Sequence, residues 1–271
     1  MLIAVCCDRG APGSTTTALA LGVAWHGESI VVEADPYGGD LALRCRVPGG
    51  GVLPEAPTVL TVAVAARTDA SADLVGRYAH RFSESTRVVP GHLAAEQGNG
   101  VSDWAPLARA LRASATPVVV DLGRIHAQSP SLPLAAAADV LVTVGRADLG
   151  SVVHLRERLG RLVPALAEIR ATPPVMLPVV VAPHRAAARH AEQIRTLLAD
   201  SPAGPVVADV GWIAWDPGAV ERLERGEGVQ ALSKTRLLRS AATVIEQILG
   251  VTPARTDESP SEAEHRVMGA R

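Results

Sequence analysis

The sequence predicts an α/β domain: a doubly wound, mainly parallel sheet with helices on both faces. Three observations carry this. Short apolar runs that stop at Asp, Gly or Pro alternate with longer segments of helical spacing along most of the chain. The apolar runs are continuous, as in strands covered on both faces. A hydrophobic fraction of 48% in 271 residues is ample for the core such a sheet needs.

In chain order, Leu2–Cys7 reads as the first strand and Thr16–Trp25 as the first helix. Ile30–Ala34 is a second short strand, closing on Asp35-Pro36-Tyr37-Gly38-Gly39-Asp40. Val47–Thr58, rich in Gly and Pro, reads as a loop. Ala70–Phe82 has helical spacing, and Thr86–Val89 is a strand ending at Pro90-Gly91. Ser102 is placed to cap a helix running to Ala113. Pro117–Leu122 is an apolar strand carrying Asp121, and Leu132–Ala138 is a helical patch. Val140–Val144 is a strand, and Leu149–Leu162 a helix with Arg and Glu on its outer face. Val175–Ala182 is a buried strand, Arg185–Leu198 an amphipathic helix, and Pro205–Val210 the expected last strand. Trp212–Pro217 reads as a loop, followed by helices near Ala219–Arg225 and Thr235–Leu249. The expected domain spans residues 1–249. The polar stretch 250–271 is expected to be disordered. No internal repeat is visible.

Composition excludes several functions. A net charge of −2 gives no global attraction for nucleic acid or acidic lipid, so any such binding needs a local patch. Lys234 is the only lysine; the basic residues are otherwise arginines. Cys6 and Cys7 are adjacent in a strand and Cys45 stands alone, which suits a reducing compartment and offers no metal or disulfide spacing. The apolar N-terminus is broken by Asp8 and Arg9, as in a strand rather than a signal peptide. No run is long and apolar enough to span a membrane. A cytoplasmic protein is expected.

The chemistry concentrates in Ile3–Thr17. An apolar run, a turn with Gly10 and Gly13, and a helix start follow one another. In that order they form a backbone anion trap, with loop amides and the helix dipole facing inward. The nearest pattern is the phosphate loop G-x-x-x-x-G-K-[ST], but Ser14 stands where the phosphate-binding lysine belongs. Two carboxylates end neighbouring apolar runs. Asp35 follows Val31-Val-Glu-Ala, suited to orienting a water. Asp121 follows Val118-Val-Val, the Walker B arrangement that holds Mg²⁺.

Taken together, these stretches resemble the ParA/MinD group of deviant Walker A ATPases, close to the pilus- and secretion-associated branch that includes TadZ and CpaE. Arg9-Gly10-Ala11-Pro12-Gly13-Ser14-Thr15-Thr16 corresponds to K-G-G-x-G-K-T-T, and Val31–Asp40 to the D-x-D-P switch. Arg87–Gly91, Val118–Gly123, Ala138–Arg146 and Gly211–Pro217 with Gly226-Glu227-Gly228 extend the likeness. The resemblance implies a P-loop fold with ATP over Gly10–Thr16 and Mg²⁺ held by Thr15 and Asp121. It implies Trp215, Asp216 and Pro217 beside the adenine, and a homodimer in which Arg9 reaches the partner's nucleotide. Asp35 keeps the water-orienting position, while Glu33 replaces the first Asp of the switch.

The departures also count. Serine for lysine removes a charge, Ala11 replaces a glycine, and Pro12 removes an amide donor. The reading is therefore a positioning or partition protein that recruits partners, with weak or absent ATP hydrolysis. One alternative is a pseudo-ATPase scaffold for pilus or secretion assembly that binds no nucleotide. Another is a nonspecific DNA-binding segregation protein using Arg222, Arg225, Arg236 and Arg239, which otherwise form a solvated face. Trp212 and Trp215 most simply pack on the core, with base stacking as the alternative. The histidines, including His184 and His190, do not make a metal site, and no G-x-S-x-G elbow or G-x-G-x-x-G fingerprint is present.

Overall fold

The computed structural model describes residues 1–8, 13–98 and 100–252. Its eight strands are β1 (Leu2–Cys7), β2 (Ser29–Glu33), β3 (His80–Arg81), β4 (Thr86–Val89), β5 (Val118–Arg124), β6 (Val140–Arg146), β7 (Val175–Ala182) and β8 (Gly211–Ala214). They form one sheet of order β3-β4-β2-β5-β1-β6-β7-β8. Every pairing is parallel except β3 with β4. After β1 the chain steps over the future place of β5 to lay down β2 and β4, then returns through β5 and continues to the other side. Order reverses around β1, and in open α/β sheets the ligand crevice lies there, at the C-terminal strand ends.

Helix α1 (Ser14–Ala24) follows β1, and α2 (Leu41–Arg44) follows β2. Between β2 and β3 come α3 (Val59–Ala65) and α4 (Leu74–Arg77). Between β4 and β5 come α5 (Ala95–Gly98) and α6 (Ala105–Ala113). Then follow α7 (Leu132–Ala137), α8 (Leu149–Ile169), α9 (His184–Ala199), α10 (Pro217–Glu224), α11 (Val229–Leu232) and α12 (Arg236–Val251).

Strand alternation divides the core in two. Leu2, Ala4 and Cys6 of β1 face the layer of α3, α6, α7, α8 and α9. Ile3 and Val5 face α1, α10 and α12. Helix α1 is buried on nearly every side, and its Gly22 lies where a Cβ would collide with the Val31 side chain. That close approach lets the helix lie flat on the sheet with its N-terminus over the crevice.

Several boundaries differ from the sequence reading. Pro205–Val210 is not the last strand: Val207 makes one isolated bridge to Met176, while Gly211–Ala214 pairs along Val179–Ala182. Residues 212–214, expected to lie in a loop, are therefore part of β8. Only Leu74–Arg77 of 70–82 is helical, and Arg81 pairs with Arg87 in the antiparallel edge hairpin. Helix α6 begins at Ala105, where the Asp103 carboxylate, rather than Ser102, accepts from the Ala105 amide at 2.8 Å. Helix α8 runs past Leu162 and through Pro164 to Ile169, held by Leu155, Leu159, Leu162 and Leu166 buried on one side. That packing outweighs the hydrogen bond proline removes.

Candidate functional site

The crevice is built where β1 hands over to α1. Gly13 stands at the helix N-cap with φ +97°, a left-handed conformation that favours glycine. The amides of the first helical turn, with the dipole behind them, face the opening. Arg9, Gly10, Ala11 and Pro12 lie outside the described residues.

A cavity of about 450 Å³ opens over this turn. One wall is Gly13, Ser14, Thr15, Thr16 and Thr17; the other includes Trp215, Asp216 and Pro217. Segments some 200 residues apart in sequence, both singled out for nucleotide contact, thus border one space. Val181, Ile213 and Leu237 supply apolar surface between them.

Asp216 is fully used by the fold. Its Oδ1 accepts from the Ala219 amide at 3.3 Å and its Oδ2 from the Arg236 amide at 3.2 Å, tying the starts of α10 and α12 together. Trp215 does not pack on the core: it is 55% exposed, with the Arg146 guanidinium 5.5 Å from its ring centroid. Trp212 does pack against the core, tilted on His184.

Two basic residues that spacing did not single out also line this cavity, Arg44 and Arg146. Arg44 donates to Asp40 at 3.0 Å and is ion-paired with Glu224, so two carboxylates share its charge. Ser14 is buried beside Cys7, and its hydroxyl acts to lower the pKa of that thiol. Burial pushes that thiol up to about 11, so it stays neutral.

The carboxylates meet on the far side of the α1 turn. Asp121, 1% exposed, accepts from the Gly123 amide at 3.1 Å through Oδ1. Its Oδ2 is buried and has no hydrogen-bond partner. Burial raises the Asp121 pKa to about 6, opposed by the Thr15 hydroxyl and the Gly123 amide. Asp35 sits against the same turn. Gly123 has φ +57°, and a Cβ there would collide with the Asp35 carboxylate. Burial raises the Asp35 pKa as well, while the Tyr37 amide, donating to Oδ1 at 2.9 Å, lowers it. Thr15, Asp35 and Asp121 are therefore neighbours.

Glu33 has a different place. It is buried, and its Oε1 accepts from the amides of Asp40 at 3.0 Å and Leu41 at 3.3 Å. Its Oε2 accepts from Gly91 at 2.8 Å. The side chain thus braces two loops beneath the site.

The C-terminal arginines divide into two pairs. Arg222 is ion-paired with Glu227, and Arg225 with Glu221. Arg236 and Arg239 are exposed on α12. Among the described residues no cluster of His, Cys, Asp and Glu is arranged to hold a metal by itself. No helix among them is long and apolar enough to cross a membrane.

No family model and no curated protein matches the chain by sequence. Its fold does match solved structures. A ParA family ATPase from Chlorobium tepidum TLS superposes with a TM-score of 0.67 at 14% identity, covering 89% of this chain and 96% of that one. An ATP complex of McdA from Cyanothece gives a TM-score of 0.63 at 17% identity, over 94% and 99% of the two chains. The septum site-determining protein MinD from Pyrococcus horikoshii, complexed with Mg-ADP, gives 0.63 at 15% identity, over 93% and 98%. The chain has the ParA/MinD P-loop fold.

Proposed function

We propose that this chain binds ATP with Mg²⁺ in the crevice over α1 and acts as a ParA/MinD-like positioning protein of the pilus- and secretion-associated type. In this reading it forms a homodimer that recruits protein partners and hydrolyses ATP weakly or not at all. One observation carries the nucleotide part: the buried, unpartnered Oδ2 of Asp121 beside Thr15 and Asp35. A buried carboxylate oxygen without a donor is costly, and a hydrated cation removes that cost.

The donor set fits the ion. Thr15 supplies a hydroxyl and Asp121 a carboxylate, all-oxygen ligands suited to Mg²⁺, with water and phosphate oxygens completing the shell. Bound there, Mg²⁺ supplies neutralising charge to the phosphates. The α1 amides take phosphate oxygens, Asp35 orients a water, and the Trp215–Pro217 wall takes the base. The fold likeness to the McdA and MinD nucleotide complexes supports this assignment.

Weak turnover follows from Ser14. Its neutral hydroxyl cannot follow charge growing on the terminal phosphate, and phosphoryl transfer is catalysed mainly by positioning and charge stabilisation. The burial of Ser14 beside Cys7 also favours a second reading, a scaffold that never binds nucleotide.

Titration with a fluorescent ATP analogue, with and without Mg²⁺, separates the two. The first reading expects saturable binding tightened at least tenfold by Mg²⁺, and Ser14→Lys is expected to increase turnover. Absence of binding in both the parent and Ser14→Lys proteins would establish the scaffold instead.

A further inference from the structure

Beyond the carboxylates lies a smaller cavity of about 340 Å³, lined by Asp8, Tyr37, Arg124, His126 and Arg158. It sits at the same strand ends as the site: Asp8 directly follows β1, and Arg124 is the last residue of β5. Its lining consists mostly of donors. The one carboxylate, Asp8, is ion-paired with Arg158 from α8, so those two charges cancel. His126 Nδ1 accepts from the Gln128 amide at 3.1 Å, which leaves the ring proton on Nε2. Tyr37 adds a phenol.

Arg124 is the lining cation that no described residue holds in a hydrogen bond or ion pair, and it is exposed. It follows Gly123, whose backbone abuts the Asp35 carboxylate. Its positive charge acts on Asp35 and Cys7, lowering the pKa of each. A cavity with a guanidinium that no described residue holds, an imidazole N–H and a phenol is suited to an anion. One that adjoins Asp35 is suited to the end of a polyphosphate.

We infer that Arg124 binds the terminal phosphate of the nucleotide and supplies in cis the positive charge that Ser14 does not, with His126 and Tyr37 donating beside it. This rests on the nucleotide reading above. It gives the degenerate phosphate loop a substitute cation from β5 and explains how affinity for a triphosphate survives the missing lysine. The strand end fixes the Arg124 backbone beside Asp35, and the planar guanidinium fork matches a phosphate, so the contact has to order only the side chain's own rotamers.

The test uses the full chain with Mg²⁺ and two probes, ADP and a non-hydrolysable β,γ-imido ATP analogue, in calorimetric titrations. Arg124→Gln is expected to weaken the analogue roughly 10- to 100-fold while leaving ADP within about 3-fold, because only the analogue carries the phosphate contacted. Arg124→Lys should recover part of the loss. His126→Ala should cost the analogue about 5-fold, as loss of a single hydrogen bond does. The exposed position of Arg124 predicts an unchanged Tm, which checks folding.

If Arg124→Gln weakens both probes equally, or neither, the inference is overturned although nucleotide binding stands. If the parent chain binds neither probe, the nucleotide reading falls and takes this inference with it.

Discussion

Glu33 and Asp121 face each other across the β2–β5 ladder, in register, as buried acids at the ends of neighbouring strands. Burial raises the pKa of both, to about 7 and about 6. They differ in what their oxygens find. Glu33 takes three backbone N–H groups from two loops, whereas Asp121 takes one and leaves Oδ2 bare. A buried acid whose oxygens are saturated by backbone is part of the frame. One with a buried vacant oxygen, beside another carboxylate and a threonine hydroxyl, has coordination left for something else.

The contrast is most easily broken by substitution. Glu33→Ala strips the acceptor from three amides and should cost about 3–5 kcal/mol of stability in urea unfolding. Asp121→Asn keeps an acceptor for Gly123 and removes a buried charge, so its stability should stay within about 1 kcal/mol of the parent. The same substitution should remove the Mg²⁺-dependent part of ATP binding. Comparable destabilisation by both changes would erase the distinction.

Titration sharpens it. Glu33 in the folded chain holds its proton to about pH 7 against an ordinary value of 4.5, so the native state binds more protons than the unfolded chain between those values. That contribution is fully present below pH 4.5 and is lost as pH rises through 7, about 3 kcal/mol for this group alone. Asp121 acts with the same sign, its contribution lost as pH rises through about 6. Glu33→Gln should therefore remove the decline between pH 6 and 7 and roughly halve its slope between pH 4.5 and 6, where Asp121 still contributes, as read from Tm against pH.

A smaller effect probes the frame itself. A Cβ on Gly39 would collide with the Glu33 carboxylate. Gly39→Ala should cost about 1–3 kcal/mol in the parent and much less in a Glu33→Ala background, a coupling a double-mutant cycle measures. Full additivity would mean that Gly39 serves some purpose other than making room for Glu33.

Legibility followed the range of the interactions involved. Strands β1, β4 and β7 have the boundaries their apolar runs announce, because a strand buried on both faces is written in consecutive residues. The exchange of Pro205–Val210 for Gly211–Ala214 arose because both runs suit a strand. Only register against β7 chooses between them. Helix α3, which the pattern did not announce, is held by Val59 and Val62 buried against the sheet and by a Thr58–Thr61 capping box. In the site, Asp35, Asp121 and Thr15 were legible as motif residues. Arg44, Arg124 and Arg146 were not, since an arginine among many arginines carries no local signal until folding sets it beside a cavity.

The chain's sequence alone determined the layered α/β class, the helix start at Gly13-Ser14, and a threonine and an aspartate placed in motif positions with no loop lysine. These are properties of adjacent residues: hydrophobic period, a glycine where the backbone must turn left, a serine at one position. Tertiary structure alone decided that Glu33 braces while Asp121 stays open, that Trp215 faces outward under Arg146, and that Arg124 adjoins Asp35. Each of those depends on which distant backbone amide or charge arrives within hydrogen-bonding or Coulombic reach, as the Gly91 amide does for Glu33.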